Sequence, residues 1–261
     1  MMTTTRKVLS ALLVCALISS SAMVTQAGTI NHGDFMGAGV AYTSVTESSN
    51  TDSVPLFGTP VVIGNQLRFF EPVALPNPSL GFGASSVSGA SDVTDGFLSF
   101  MVQAKPGLGI GKIGFREGGD YSLAGFPGDQ AKVIANLIIQ SIRIDEVDGV
   151  AIAPISLSGL ESTMAQLGVD PAAGPWSNMK MFSIDAALAN IYPPTSSATK
   201  LTVRLNDSLL ALTQGSGIAN IVKKMFNVDV DTRINENTVP EPTSMALVML
   251  GVVAFASTRR R

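Results

Sequence analysis

The sequence contains very few residues of the kinds that build reactive sites. Its 261 residues include one cysteine, Cys15, and one histidine, His32. A disulfide needs two cysteines, and one histidine without thiols cannot supply the tetrahedral nitrogen and sulfur ligands of a zinc site. We expect His32 in a mobile stretch near the start of the mature chain and therefore expect no catalytic role for it. Thiol, histidine and zinc chemistry are therefore not expected.

Positive charge is also scarce in the body of the chain. Five of the 17 basic residues and one of the 20 acidic residues lie in the two terminal segments. This leaves 12 basic and 19 acidic residues in 28–238, a formal charge of −7. A mildly acidic body does not attract a phosphate backbone, so no nucleic-acid partner is expected.

The first 27 residues have the pattern of a secretory signal peptide. Arg6 and Lys7 precede an apolar run from Val8 to Ile18, and a region of small residues ends at Ala27. This layout predicts export through the Sec translocon and cleavage between Ala27 and Gly28. Because Cys15 is removed with the peptide, the exported body has to be stabilised by core packing alone.

The body, residues 28–238, reads as an all-β domain. Apolar and polar residues alternate in short runs, and turn-forming residues recur about every 8–12 positions, which is typical of a β-sandwich. We predict one sandwich of the jelly-roll kind. Val61–Ile63 and Leu67–Phe70 form a predicted hairpin around Gly64 and Asn65. Further turns are predicted at the following segments: 118–120, 148–149 and 206–207.

Residues 158–199 fit this pattern least well. Leu160–Leu167 and Ile184–Ile191 are each compatible with a short helix. Prolines flank both segments and disfavour regular pairing. We therefore predict an excursion off the sheets here.

The last 23 residues consist of three parts in order. Pro240 and Pro242 hold Val239–Pro242 extended and remove amide donors, which fits a segment that docks in a processing enzyme and equally a plain C-terminal anchor with an incidental pair of prolines. Thr243–Thr258 is apolar and 16 residues long, about 24 Å as a helix, which suits a single short transmembrane helix. Three arginines follow, Arg259, Arg260 and Arg261, and predict a cytoplasmic end by the positive-inside rule.

This succession resembles the PEP-CTERM sorting signal of exopolysaccharide-producing Gram-negative bacteria. The resemblance assigns Pro240, Glu241 and Pro242 to the recognition motif and residues 243–258 to the membrane segment. Arg259, Arg260 and Arg261 match the basic end. It implies an exosortase-type membrane transpeptidase as partner. The implied route is export across the inner membrane, transient anchoring, tail removal, and a final place at the cell surface or in the extracellular matrix.

The body is similar, more loosely, to the β-rich body of planctomycete-type proteins that carry this tail. The similarity implies no activity. It rests on these stretches: residues 44–49, 55–60, 92–96, 119–121 and 146–149.

Carboxylates offer the remaining chemistry. Glu117 with Asp120, and Glu146 with Asp148, are candidate pairs for glycoside hydrolysis, although acids beside glycine more often support turns. A structural calcium needs six to eight oxygen ligands, and the candidate ligands follow strand ends without a calcium-loop spacing: Asp92, Asp95, Asp145 and Asp148. Trp176 is the best candidate for a carbohydrate platform, with core packing as the alternative.

We therefore expect a non-enzymatic surface or matrix protein without a cofactor, structural or adhesive and associated with exopolysaccharide or the cell envelope. Two alternatives stay open. One is a secreted hydrolase or lyase acting on polysaccharide, and the other is a glycan-binding module without catalysis.

Overall fold

The computed structural model describes residues 28–70, 82–235 and Asn237. Within these ranges the chain forms twelve strands and one short helix. The strands are β1 (Gly28–Met36), β2 (Val40–Ser49), β3 (Val61–Ile63), β4 (Gln66–Phe69), β5 (Gly83–Val87), β6 (Ser91–Ala104), β7 (Leu108–Ala124), β8 (Gln130–Val147), β9 (Val150–Gln166), β10 (Ala173–Ser183), β11 (Ala198–Gln214) and β12 (Ile218–Ile234), and the helix is α1 (Ile184–Leu188).

The alternation of apolar and polar residues explains why the long strands form. In β11, Leu201, Val203 and Leu205 are buried, while the residues between them are partly or fully exposed. Successive side chains of a strand point to opposite faces, so this pattern buries one face and solvates the other. The predicted all-β class is confirmed.

The strands form two antiparallel layers that face each other. The first sheet has the order β1-β2-β6-β11-β8-β9. The second has the order β10-β7-β12, and the free edge of β12 pairs with β5 and then with β4, which carries β3. A single pairing between Ala198 and Ile110 joins the layers. This arrangement is sandwich-like; the finer jelly-roll connectivity stays a prediction.

Aromatic rings fill the space between the sheets. Phe57 is fully buried and meets Phe69, Phe82 and Phe226 edge-on at centroid distances of 5.7, 4.9 and 5.4 Å. Edge-to-face aromatic pairs contribute about 0.5–1.5 kcal/mol each beyond their buried area. This group holds the loop before β3 against the inner face of β12.

Two predicted turns are confirmed. Gly64 and Asn65 connect β3 to β4 in a two-residue hairpin. Asp148 and Gly149 connect β8 to β9, and Asp148 has a φ of 53°, the left-handed conformation that a tight hairpin turn requires.

Two other predicted turns are wrong. Residues 118–120 lie inside β7, and residues 206–207 lie inside β11. In both segments, pairing with two neighbouring strands decides the backbone conformation, and it overrides the turn preference of glycine, asparagine and aspartate.

The region 158–199 is more regular than predicted. Leu160–Leu167 is not a helix, because its residues to Gln166 belong to β9 and pair with β8. The strand β10 also belongs to the second sheet, so the predicted excursion is wrong. The second helix prediction is confirmed for Ile184–Leu188, where the Ser183 side chain accepts a hydrogen bond from the Ala186 amide and caps the helix.

Both predicted terminal segments fall outside the described residues. These are the signal peptide, residues 1–27, and the apolar segment, residues 243–258. Among the residues that the structure describes, no helix is long and apolar enough to cross a bilayer. The predicted boundaries of the segments therefore stay predictions.

Candidate functional site

Three charged side chains meet in the core between the two sheets. Lys223 of β12 contacts Glu117 of the neighbouring strand β7 and Asp207 of β11 in the facing sheet. Its Nζ lies 2.6 Å from Glu117 Oε2 and also forms an ion pair with Asp207 Oδ2. All three side chains are fully buried. We call this group the buried charge cluster.

An irregularity in β12 aims Lys223 inward. The pairing of β12 with β7 shifts between Lys223 and Met225, so Lys224 is the extra residue. Ala219 and Ile221 face the core before this bulge, and Phe226 and Val228 face it afterwards. A β-bulge changes the phase of a strand and redirects its side chains. Lys223 therefore keeps the inward phase while Lys224 points to solvent.

Aromatic rings surround the lysine. Its Nζ lies 4.2 Å from the ring centroid of Phe82 and within 5.6 Å of those of Phe57 and Phe226. Gly96 makes room for two of these rings, since a Cβ there would lie 2.7 Å from carbons of both Phe57 and Phe82. Gly96 is also the β6 partner of Asp207. The cluster is thus enclosed by apolar groups and shielded from water.

The enclosure changes the acidity of the lysine. Burial lowers the pKa of Lys223 to about 8, although the charge of Glu117 and a hydrogen bond with it act in the opposite direction. Desolvation disfavours the ammonium form and a nearby carboxylate favours it. A substantial neutral fraction of this amine is therefore present at mildly alkaline pH.

The two carboxyl groups have different surroundings. Glu117 Oε1 accepts a hydrogen bond of 2.7 Å from Asn178 Nδ2, which also donates to the Ala135 carbonyl. Within residues 28–70 and 82–235, Asp207 Oδ1 is buried without a hydrogen-bond partner. Among the described residues, Glu117 is thus held by the hydrogen bond from Asn178 and by its ion pair with Lys223, and Asp207 is held by its contact with Lys223.

The predicted hydrolase pair Glu117 and Asp120 does not form one site. Both lie on β7, but Glu117 points into the core and Asp120 is half exposed and pairs with Lys224. A fully buried carboxylate cannot reach a sugar. This pair therefore gives no geometry for glycoside hydrolysis.

The pair Glu146 and Asp148 lies around the turn between β8 and β9. Glu146 forms an ion pair of 3.4 Å with Lys200. Asp148 accepts hydrogen bonds from the Ser197 amide, Asn235 Nδ2 and Asn237 Nδ2. Burial raises the pKa of Asp148, but these hydrogen bonds outweigh it and hold the pKa below its usual value. Asp148 therefore supports a turn, the alternative that the sequence favoured.

The four candidate calcium ligands are engaged separately. Asp92 binds the Ser85 amide, Asp95 binds residues 50–51, and Asp145 binds Arg143 and Thr202. Among the described residues, no group of three or more histidine, cysteine, aspartate or glutamate side chains is placed to hold a metal ion. The structure does not bring these acids together.

His32 lies in a strand rather than in a mobile stretch, at a point where the register of that strand with β2 shifts. It belongs to β1, and its Nε2 lies 3.0 Å from Oε2 of the buried Glu47. Glu47 Oε1 also accepts hydrogen bonds from the Leu56 and Phe57 amides. His32 and Glu47 thus tie the loop before β3 to the first sheet.

Trp176 packs into the core rather than forming a platform. Its exposed fraction is 5% and its indole N–H donates to the Val222 carbonyl at 3.2 Å. A shallow depression of about 410 Å³ opens beside it, lined in part by Arg116, Asp120 and Lys224.

The predicted sorting residues lie outside the described part of the chain. These are Pro240, Glu241, Pro242, Arg259, Arg260 and Arg261. Of the predicted cleavage site, Ala27 is likewise outside and Gly28 is the first residue of β1. These assignments stay predictions at the level of single residues.

The buried charge cluster was not predicted from the sequence, although a signal for it exists. Asp207 stands in the apolar phase of β11 between Leu205 and Leu209. Lys223 and Glu117 stand in the apolar phases of β12 and β7 in the same way. A charged residue at an inward position of an alternating strand indicates a partnered charge in the core.

Comparisons with known proteins bear on the end of the chain. The family model of the PEP-CTERM protein-sorting motif matches residues 238–261. No curated protein matches this chain. Among solved structures, a loop swap mutant of Necallimastix patriciarum Xyn11A is similar at 9% identity over 78% of this chain and 100% of that chain, with a TM-score of 0.17. A likeness of this size supports no conclusion about the fold or the function.

The matched motif is a substrate signal for exosortase processing, so it indicates an exported protein with a C-terminal sorting signal and a destination at the cell surface. The PEP-CTERM resemblance of the sequence is thereby confirmed, and the chain is a PEP-CTERM sorting domain-containing protein.

Proposed function

We propose that this protein is a structural or adhesive component of the cell surface or extracellular matrix, associated with exopolysaccharide or the envelope. The observation that carries the proposal is the sorting motif at residues 238–261, attached to a large β-rich body. An exosortase-type transpeptidase would process the tail after export, and the body would then be released or attached outside the cell.

The body supports a mechanical role better than a catalytic one. Its inward-facing acids are bound within the core, as Glu47 and Glu117 are. Of the other candidate acids for hydrolysis, Asp148 holds a turn and Asp120 pairs with the surface residue Lys224. Long antiparallel strands with extensive pairing resist extension, because many backbone hydrogen bonds would have to break together.

A double substitution tests the sorting step. Pro240→Ala with Pro242→Ala should leave the tail uncut and the protein in the membrane fraction, because the rigid docking segment is lost. Pro193→Ala with Pro194→Ala is the matched control, since these exposed prolines lie between α1 and β11. Processing and location are read by mass spectrometry and fractionation. Normal processing of the Pro240 and Pro242 variant would contradict the proposal.

The role of the body has a separate test. Purified protein is mixed with polysaccharide extracted from the matrix of the producing cells and then sedimented. Co-sedimentation without new reducing ends supports the structural or adhesive role. New reducing ends would establish the alternative of a polysaccharide-active hydrolase. Absence of both binding and cleavage would contradict the association with exopolysaccharide.

A further inference from the structure

The buried charge cluster is unusually costly for an ion-pair group. Two carboxylates and one ammonium would leave a net negative charge in an apolar enclosure when all three are ionised. Removing charges from water is costly unless hydrogen bonds compensate each charged atom. Asp207 Oδ1 has no such compensation among the described residues. The fully ionised state is therefore a poor description of this site.

Transfer of a proton from Lys223 to Asp207 leaves one charge in the enclosure, on Glu117, instead of three, and it creates a reactive pair. With Asp207 protonated, its carboxyl carbon is an electrophile. Burial lowers the pKa of Lys223 to about 8, so the neutral, nucleophilic form of its amine is readily populated. Glu117 lies 2.6 Å from the amine and is held in place by Asn178.

We propose that Lys223 and Asp207 become joined by an amide bond between Nζ and Cγ, which links β12 to β11 across the two sheets, with Glu117 as the catalytic acid and base. The supporting observation is the contact of three fully buried side chains inside a ring of phenylalanines. This modification goes beyond sorting and does not depend on the proposed role of the body.

The step balances without any co-reactant. The neutral Nζ attacks Cγ of the protonated Asp207, and the Glu117 carboxylate accepts a proton from the nitrogen. Glu117 then returns this proton to the departing hydroxyl, so that the C–O bond breaks and water leaves. One C–N bond forms, no atom is oxidised or reduced, and the chain loses one water.

Geometry and dryness favour this reaction. Packing holds the amine against the carboxyl group, and such fixed neighbours react at very high effective concentration. The apolar enclosure also excludes the water that hydrolysis of the amide would need. Burying a neutral amide also costs less free energy than burying an ion pair whose oxygens lack hydrogen bonds.

Mass spectrometry of the purified, folded full-length protein tests the bond. Asp207 and Lys223 fall in one tryptic peptide, residues 205–223, since no lysine or arginine lies between them. We expect this peptide to extend to Lys224, because trypsin does not cut after an acylated lysine, and to be lighter by about 18 Da, the one water lost in an acid- and base-assisted condensation.

A second protease distinguishes the cross-link from other losses of water. Chymotrypsin cuts after the leucines between the two residues, Leu209, Leu210 and Leu212. The two resulting peptides should stay joined. A succinimide at Asp207 would also remove water, but its peptides would separate, and this result would overturn the proposal. So would a free Lys223 amine in the unmodified peptide.

Matched variants complete the test. Glu117→Gln should reduce the cross-linked fraction formed in a fixed time by about 100-fold or more, the usual contribution of a positioned proton acceptor. Lys223→Met should abolish the joined peptides, whereas Lys224→Met, which changes the exposed neighbour, should leave them at the wild-type level. Circular dichroism verifies that each variant is folded. A folded Glu117→Gln variant with full cross-linking would overturn the role of Glu117.

Discussion

Several charged residues in the described part of the chain are enclosed with partners or hold turns. Glu47 is buried and accepts hydrogen bonds from two backbone amides, while His32 covers its other oxygen. Lys223 is enclosed by rings and carboxyl groups. At the surface, Asp148 gathers one amide and two asparagine side chains. The Glu47 and Asp148 sites follow the rule that a buried polar group needs a hydrogen-bond partner, whereas Asp207 Oδ1 beside Lys223 departs from it among the described residues.

The Asp148 site predicts a pH dependence of stability. Because the pKa of Asp148 is lower in the folded chain than in the unfolded chain, its stabilisation is present above the unfolded pKa of about 4 and is lost as pH falls through the folded pKa. Asp148→Asn should lower the free energy of unfolding at pH 7 by about 1 kcal/mol, after allowance for solvent screening. The difference should shrink at pH 3.

Urea denaturation at pH 7 and pH 3 measures this difference. Asparagine tolerates the φ of 53° at this position, so the substitution adds no backbone strain. Asp231→Asn, at an exposed position of β12, is the control and should show little change. An equal loss of stability at both pH values would contradict the electrostatic origin of the effect.

At the scale of elements, turn chemistry identified the turns only where no neighbouring strand competed. The hairpin at Gly64 and Asn65 was predicted because a two-residue connection depends on local φ preferences. Gly118 and Gly119 carry the same signal but lie within β7, between β10 and β12. The sequence does not show which strands will flank a segment, so this error could not be avoided.

Gly119 allows the backbones of β7 and β12 to approach each other closely, and it does not form a turn. A Cβ at Gly119 would lie 1.9 Å from the Val222 carbonyl oxygen in β12. Gly119→Ala should therefore separate β7 from β12 locally and lower the free energy of unfolding by about 2–3 kcal/mol. Thermal or chemical denaturation followed by circular dichroism measures the change.

Gly114→Ala on the same strand is the matched control. A Cβ there would meet the flexible end of Met181 at 3.3 Å, which can move aside. This variant should be close to wild type. Equal stability of the Gly119→Ala and Gly114→Ala proteins would show that β7 and β12 do not approach as closely as described.

The helix predicted at Leu160–Leu167 failed for a related reason. Leu160 and Met164 have helical spacing, but they pair with Ile138 and Ile134 of β8 on one face of the first sheet. Short apolar runs fit both the helical period and the strand period, and only the pairing partners of the segment distinguish a helix from a strand. The buried charge cluster escaped prediction similarly: Glu117 is far from Asp207 and Lys223 along the chain, and the fold brings them together.

At the scale of the whole molecule, two layers of strands enclose an aromatic core without any disulfide. The sequence has no cysteine beyond Cys15, so an exported body would depend on packing and on the proposed Lys223–Asp207 link. Such a link constrains the unfolded chain as a disulfide does, and a loop of about 15 residues gives about 3 kcal/mol of stabilisation. A covalent tie suits a protein that works outside the cell.

The sorting signal and the architecture of the body are both consistent with a role outside the cell. The motif at residues 238–261 indicates export and sorting, and the body has long paired strands and a core closed around its charges. The all-β class and the sorting motif were predictable because alternation and short linear motifs are local. The site in the core was not, because it depends on which strands face each other.

We expect this chain to be exported and processed at both ends before it acts outside the cell. Mass spectrometry of the terminal peptides tests this expectation on protein recovered from the surface or medium of the producing cells. The recovered chain should begin at Gly28 and end before Thr243, without the apolar segment and the arginines. Recovery of a chain that retains Met1 and Arg261 would contradict it.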